Sequence, residues 1–335
     1  MTTPQPIPGA LMDALIMLGR WLRHSGYRFI TVTPATHARV HRRSPDREAN
    51  DLSDIFGWSR PFAPALLPSE IRSNLLAADL LFSEGPLLRS RVRFSSLGEQ
   101  LYAHSAYPTS GADAVFFGPD SHRFVALIEA ELSRLQLLAG ARILDVGCGA
   151  GPGGIAAALL ASQGPQSSPA SPALQETPPA LILADINAHA LQYARANAAL
   201  AGLKRVRFVQ GNLFELLQES FDLVVANPPY LVDAAARTYR HGGGALGGGL
   251  SERIVAEGLP RLAPGGRLVL YTGAAIVAGA DPLFDAIQPV LQASGFPFTY
   301  RELDPDVFGE ELDTPAYAQA DRIAAVALVV RRPAP

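Results

Sequence analysis

The 335 residues include one cysteine, Cys148. A lone thiol excludes an internal disulfide framework and any metal site built on several cysteines, and it fits a reducing compartment. Lysine is almost missing, one residue against 27 arginines, a skew that reads as coding bias. The seven histidines are scattered without metal-ligand spacing, so no metal is expected. Long apolar runs are also absent. Leu11–Leu22 is broken by Asp13 and Arg20. Leu268–Ala280 holds Thr272 and Gly273 and falls short of the ~20 residues a membrane helix needs. Met1–Gly26 lacks a basic leader and a small-residue cleavage site, which predicts an amphipathic helix rather than a signal peptide. These absences predict a cytoplasmic protein with no membrane segment.

Charge of either sign is modest, with a net value of −3, but unevenly placed. Up to His104 there are 12 arginines against 9 acidic residues; beyond it, 16 basic against 22 acidic. An excess of that size is ordinary for a solvated surface, and it also leaves an anionic partner open for the first region.

Nearly half the residues are apolar, so the chain is globular, and its length predicts about two domains. Residues 1–104 are expected to be a small α+β recognition domain. It has a helix over Leu11–Leu22, a strand over Tyr27–Thr33, and a polar, basic stretch at Thr36–Asp54. A helical pattern follows from Pro68, with Ile71, Leu75, Leu76, Leu80 and Leu81 on one side. Arg91–Phe94 and Gln100–His104, split by Ser95-Ser96-Leu97-Gly98, form a hairpin signal, and helix plus hairpin is winged-helix-like. A linker at 105–120 leads to a second domain, 121–335. There a helix capped by Ser121 precedes strands at Ala141–Val146, Leu181–Asp185, Val206–Gln210, Phe221–Ala226, Arg267–Tyr271, Phe298–Glu302 and Ala324–Val330. Helices are expected at Gly153–Ser162, Ala188–Ala201, Leu250–Leu262 and Pro282–Ala293. Near-continuous apolar strands alternating with helices predict an α/β fold, a parallel sheet covered on both faces. Residues 163–180, rich in Pro, Ser, Gln and Ala, read as a disordered insertion.

After the first of these strands comes Asp145-Val146-Gly147-Cys148-Gly149-Ala150-Gly151, opening directly into a helix. Glycines at alternate positions allow a tight turn and let a ligand approach the main chain, while the helix N-terminus behind them suits a carboxylate. Dinucleotide enzymes use a similar pattern, so the following elements decide. The second strand ends in Asp185-Ile186, where a carboxylate can accept from two ribose hydroxyls or simply cap a helix. The third is followed by Asn212-Leu213, where an amide can meet an adenine amine. Cys148 reads as a packing residue.

The fourth strand ends in Asn227-Pro228-Pro229-Tyr230. A planar nitrogen is a poor nucleophile because its lone pair is delocalised. It attacks when its N–H protons are held and its plane is fixed. The Asn227 side-chain oxygen and the Pro228 carbonyl supply two acceptors. The prolines remove donors and stiffen the loop, and Tyr230 offers a flat face for stacking. Positioning supplies most of the barrier reduction, so no strong base is required. As plain turn chemistry, the same residues would merely leave a strand.

Together Asp145–Gly151, Asp185, Asn212 and Asn227–Tyr230 resemble the class I S-adenosylmethionine-dependent methyltransferases of the Asn-Pro-Pro-Tyr type. Within these the chain is most similar to the HemK-like protein glutamine N5-methyltransferases, because His241–Leu250 resembles that family's Ala-Leu-x-Gly-Gly stretch. The resemblance covers Phe117–Gly273. It implies a Rossmann-like, doubly wound, seven-stranded, mostly parallel sheet with S-adenosylmethionine as methyl donor. Asp145, Gly147, Cys148, Gly149, Gly151, Asp185, Ile186, Asn212, Leu213 and Asn227 would hold that donor, with Phe117 of the linker covering it. Asn227, Pro228, Pro229 and Tyr230 would present the acceptor nitrogen. It further implies a protein substrate, such as a translation factor or ribosomal protein, methylated on a glutamine amide. The exocyclic amine of adenine or guanine in RNA or DNA is the alternative acceptor, being equally planar. The sequence departs from the family at Asn212, usually acidic, and at Arg240-His241, where an acidic residue and proline are usual. The acidic stretch Leu303–Leu312 is a solvated crossing between the last two strands, a segment folded over the active-site face, or a contact for a basic partner.

Overall fold

The computed structural model describes residues 10–133, 140–162 and 177–335. These form two compact units. The first comprises described residues to 122 together with 149–152 and 189–204, and the second comprises the rest.

The first unit opens on helix α1 (Ala10–His24), whose buried Ala14, Leu15, Leu18 and Leu22 recur at helical spacing. The expected strand at Tyr27–Thr33 is extended chain instead: the Phe29 carbonyl accepts from Ser96 N at 2.7 Å, Phe29 N donates to the Ser96 hydroxyl at 3.2 Å, and no ladder develops. Thr33 then caps α2 (Pro34–Arg43), its hydroxyl accepting from Thr36 N at 3.1 Å, and Asp51 caps the short α3 (Leu52–Phe56). Both helices lie in the stretch read only as polar and basic, because buried surface there comes from few apolar residues. Helix α4 (Ser69–Ala77) follows Pro68 as expected. It stops before Leu80 and Leu81 because Asp79 adopts φ 54°, which ends the helix and releases Leu81 into a strand. β1 (Leu81–Glu84) and β2 (Leu87–Ser90) pair around Gly85, and β3 (Val92–Leu97) pairs with β4 (Gln100–Ser105) around Gly98. Two separate two-stranded sheets therefore stand where one hairpin is expected. Helices α5 (Pro119–Leu132) and α7 (Ala188–Leu200) cross the boundary between units.

The second unit is a seven-stranded sheet built on β5 (Arg142–Val146), β6 (Ala180–Asp185), β7 (Val206–Gln210), β8 (Phe221–Ala226), β9 (Leu262–Ile276), β10 (Phe298–Asp304) and β11 (Arg322–Arg331), interleaved with α6 (Pro152–Ser162), α8 (Gly249–Gly258) and α9 (Pro282–Ser294). Its order is β10-β11-β9-β8-β5-β6-β7, with only β11 running against the others. The chain steps outward from β5 to β7, then returns to the other side of β5 at β8, which makes a topological switch between β5 and β8. The expected strands and helices are all present, but α5 begins at Pro119, which puts the predicted cap Ser121 inside the helix with its hydroxyl accepting from Gly118 N at 3.3 Å. Helix α8 ends at Gly258 and not Leu262, and β9 extends to both sides of the predicted Arg267–Tyr271. The central strands β5, β6, β8, β9 and β11 are apolar because they are buried on both faces, with Leu144, Val224, Leu268 and Val330 fully enclosed, whereas the edge strands β7 and β10 carry no buried residue. Helix α6 lies close to the sheet because Gly154 has no Cβ; one there would come within 2.8 Å of Asp145 and 2.7 Å of Leu183. The predicted insertion at 163–180 falls outside the described residues up to 176, and the C-terminal end of the helix expected over 121–138 falls partly outside them.

Candidate active site

Register fixes which residues share the carboxyl edge of the sheet. Val146 pairs with Ala184 on one side and Ala226 on the other, Asp185 with Gln210, and Ala226 with Leu270. The residues following these pairs therefore stand in one row: Asp185, Gly147, Asn227 and Tyr271. At about 4.8 Å per strand step, Asp185 and Asn227 are separated by about 10 Å with Gly147 between them. The three separate sequence signals meet at the switch point.

Gly147, Gly149 and Gly151 have φ of 67°, 54° and 82°, a region where any other residue is strained. A Cβ built at Gly147 or Gly149 would meet nothing within 4 Å, so open space lies over the turn. Gly147 N and Cys148 N donate to the Ala184 carbonyl at 2.9 and 3.0 Å, tying the loop to β6. Asp145 is buried beneath it and accepts from Gly154 N at 2.7 Å, joining the strand end to the start of α6. Burial, and then the nearby Asp185 carboxylate, push Asp145 up to about 7, against the Gly154 N–H. The Cys148 thiol is raised well above its ordinary range by burial and by Asp185 and Asp145, which leaves it unreactive, as a packing residue would be.

Asp185 is 9% exposed and accepts from Asn187 N at 2.8 Å, so one oxygen begins the next turn. Ile186 beside it is 56% exposed, an apolar surface on the edge of the row. Beyond β7, Asn212 is exposed and its side-chain oxygen accepts from Arg253 at 3.3 Å. Leu213 adopts φ 49°, an unfavourable conformation for a branched side chain. Phe117 is enclosed within the first unit, its ring stacked on Tyr102 and His104 at 5.5 and 5.2 Å.

The Asn227 side chain is half-buried and hydrogen-bonds to no described residue. Pro228 is buried. The Tyr230 ring lies against Gly273 of β9, where a Cβ would come within 2.2 Å of it, and meets Phe308 edge-on at 5.8 Å and 70°. The glycine-rich stretch after Tyr230 is a buttress: Gly242 N donates to the Leu231 carbonyl at 2.8 Å, and a Cβ on Gly242 or Gly247 would strike the Pro229 or Tyr230 main chain. Asp233 accepts hydrogen bonds from Arg237 and forms an ion pair with Arg240, which also pairs with Glu311. The Arg237 hydrogen bonds hold Asp233 at about 2. Tyr317 OH accepts from Val232 N at 3.0 Å. The acidic crossing, with its 3-10 turn at Gly309–Asp313, thus folds onto the Asn-Pro-Pro-Tyr loop, one of the three alternatives the sequence left open. Gly273 and Tyr317 are site neighbours that the motifs did not name, while Phe308 and Glu311 belong to the Leu303–Leu312 stretch; each lies more than 40 residues beyond Tyr230. Among the described residues no group of acidic, histidine or cysteine side chains is placed to hold a metal, and no helix is long and apolar enough to cross a membrane.

Residues 137–272 match the family model described as "Methyltransferase domain". A release factor glutamine methyltransferase of Deinococcus radiodurans is 36% identical over 172 residues, covering 48% of this chain and 55% of that protein. Another from Xylella fastidiosa is 36% identical over 159 residues, 44% of this chain and 52% of that protein. A ribosomal RNA small subunit methyltransferase C of Salmonella choleraesuis is 34% identical over 132 residues, 38% of this chain and 34% of that protein. The chain spans about half the length of the first of these relatives. The segment that matches the methyltransferase-domain model holds β5 to β8, most of β9 and both loops of the row described above.

Proposed function

We propose that this chain transfers a methyl group from S-adenosylmethionine to a planar nitrogen, and that the acceptor is the side-chain amide of a protein glutamine. The observation that carries the reading is the single row Asp185–Gly147–Asn227 at the switch point. In this reading Asp185 accepts from the ribose hydroxyls, and the main chain at Gly147, Cys148, Gly149 and Gly151 approaches the methionyl part. Ile186, Asn212 and Leu213 border the adenine, Asp145 shapes the loop from below, and Phe117 belongs to the packing of the first unit. The bound donor supplies an electrophilic methyl group on a sulfonium. Asn227 Oδ1 and the Pro228 carbonyl hold the two amide protons, so that the nitrogen lone pair points at the methyl carbon. The proton that methylation displaces from the nitrogen would leave one of these two acceptors for water. Tyr230, held by Gly273 and Phe308, keeps the amide plane fixed.

The second reading, an exocyclic amine of adenine or guanine in RNA or DNA, is supported by the same acceptors and by the arginine-rich first unit, whose α2 residues Arg39, Arg42 and Arg43 are exposed. Radiolabelled methyl transfer into cell extract, digested in parallel with protease and nuclease, separates the two. Label released by protease and retained through nuclease treatment supports the glutamine amide; the reverse supports the nucleobase; no incorporation overturns both. Protein partners in translation and a cytoplasmic setting belong to the first reading.

A further inference from the structure

Beside the Tyr230 loop lies a half-open cavity of about 120 Å³, lined by Leu246, Gly248, Gly273, Ala274, Pro282 and Leu283. Its floor is the end of β9, where small residues succeed one another from Gly273 to Ala275. Gly273 is also the residue on which the Tyr230 ring rests, so the cavity and the acceptor loop are separated by the thickness of one residue. The walls are apolar. A dry cavity of ~150 Å³ takes a benzene ring, so this one has room for a chain of about four carbons.

The mouth carries charge of one sign. Glu252, in the first turn of α8, lines the cavity, is exposed, and forms no ion pair among the described residues. Its neighbour Arg253 is turned away, to Glu257 and Asn212. Asp281 caps α9 beside the lining residue Pro282, accepting from Phe284 N at 3.0 Å and from Tyr300 OH at 2.7 Å. The two helix N-termini that start here each carry their own carboxylate, and no lysine or arginine lines the cavity. An apolar shaft with a carboxylate at its rim fits one kind of occupant, an aliphatic stem ending in a cation.

We infer that this cavity receives a lysine or arginine side chain of the substrate polypeptide, close in the chain to the methylated residue, with Glu252 pairing its charge. This rests on the reading that the acceptor is a protein amide. A neutral or acidic side chain would leave Glu252 unpaired or opposed, so the cavity selects among glutamine-containing sequences.

Two measurements on the full chain test the inference. First, butylguanidinium, butanol and butyrate are titrated into the protein at matched ionic strength and followed by protein-observed NMR. The cation should shift resonances of Leu246, Ala274 and Leu283 and bind at least about fivefold more tightly than butanol, and Glu252→Gln should remove that advantage. Equal binding of the three probes, or an unchanged preference in Glu252→Gln, overturns the assignment. Second, short glutamine peptides differing only in Lys, Ala or Glu at positions flanking the glutamine are compared as substrates. The Lys peptide should show a KM about fivefold below the Ala peptide, and the two should converge in Glu252→Gln. Methylated peptides without that preference overturn the cavity's role and leave the acceptor reading standing. Cation binding without methylation of any peptide overturns the protein-amide acceptor, and with it the substrate side of the inference, while the cation site itself stands.

Discussion

In the sheet unit the fully enclosed side chains are Leu144, Val224, Leu268, Val326 and their like, and polar groups are confined largely to strand ends and the loops beyond them. The first unit encloses His37, His104, Arg93, Arg60 and Asp54. Its histidines are tied to the fold by hydrogen bonds: His37 and His41 both meet the Trp58 carbonyl through Nε2, at 2.9 and 2.7 Å, and His104 Nε2 meets Ser95 Oγ at 2.7 Å. Arg93 is buried and donates to the Ser105 carbonyl at 3.1 Å. The contrast teaches where each unit is sensitive. An apolar sheet is nearly indifferent to pH and can hold an edge loop rigid, so chemistry concentrates on the few groups in the row. A polar interior gains its specificity from hydrogen bonds to uncharged imidazoles and gives way when those imidazoles are charged.

The largest expected effect is on the sheet's edge. Asn227→Ala should lower kcat by at least about 100-fold, with S-adenosylmethionine affinity and melting temperature little changed, measured by initial rates, calorimetry and thermal unfolding. If turnover holds, the row is not the acceptor site. Asp185→Ala should weaken S-adenosylmethionine binding by about 10- to 100-fold in calorimetry, the loss of one or two charge-assisted hydrogen bonds, without unfolding the sheet. Equal affinity would remove Asp185 from the cofactor.

The interior of the first unit gives a third test. Burial, with Arg93 next, lowers His37 to about 3 from an ordinary 6.5, and burial also lowers His104. The folded unit keeps these rings neutral while the unfolded chain takes up protons below pH 6.5. Stability is therefore lost as pH falls from about 6.5 towards 3. Both tryptophans, Trp21 and Trp58, lie in this unit, so their fluorescence reports it alone. Their transition on acidification should come at higher pH than the loss of far-ultraviolet signal from the sheet. Coincident transitions would erase the contrast. The smallest effect is expected at Asp145, the exception to the apolar sheet. Its carboxyl is raised to about 7, so the native state holds a proton that the unfolded chain releases above about 4, and this contribution declines as pH rises from 4 to 7. Asp145→Asn should flatten the dependence of melting temperature on pH over that range, at about 2–4 °C per kcal/mol for a domain of this size. A slope identical to the parent would place the proton elsewhere.

The same contrast explains what could be read from the sequence. The sheet's strands announce themselves because burial on both faces demands apolar runs, and the Gly147–Gly151 and Asn227–Tyr230 loops stand out because their backbone requires glycine and proline. In the first unit α2, with His37 as its one buried residue, has no apolar stripe to detect. Leu80 and Leu81 fit a helical pattern until the backbone reversal at Asp79. At the site itself, the loop residues were legible and their supports were not. Gly273 under Tyr230, Phe308 at its edge and Glu311 on Arg240 are tertiary neighbours without local spacing. The glycines of 241–249 were legible as a special loop; that they press on the Pro229–Tyr230 main chain follows only from the fold.

On the proposed function, Asp185, Gly147 and Asn227 line one crevice in which a sulfonium donor meets a flat nitrogen. A crystal structure of the chain with S-adenosylhomocysteine tests it most directly. The ribose hydroxyls should lie on Asp185, the amino-acid part along the Gly147–Gly151 main chain, and the sulfur opposite the Asn227 side chain. A ligand bound elsewhere, or a crevice that takes a nicotinamide dinucleotide in its stead, would contradict it.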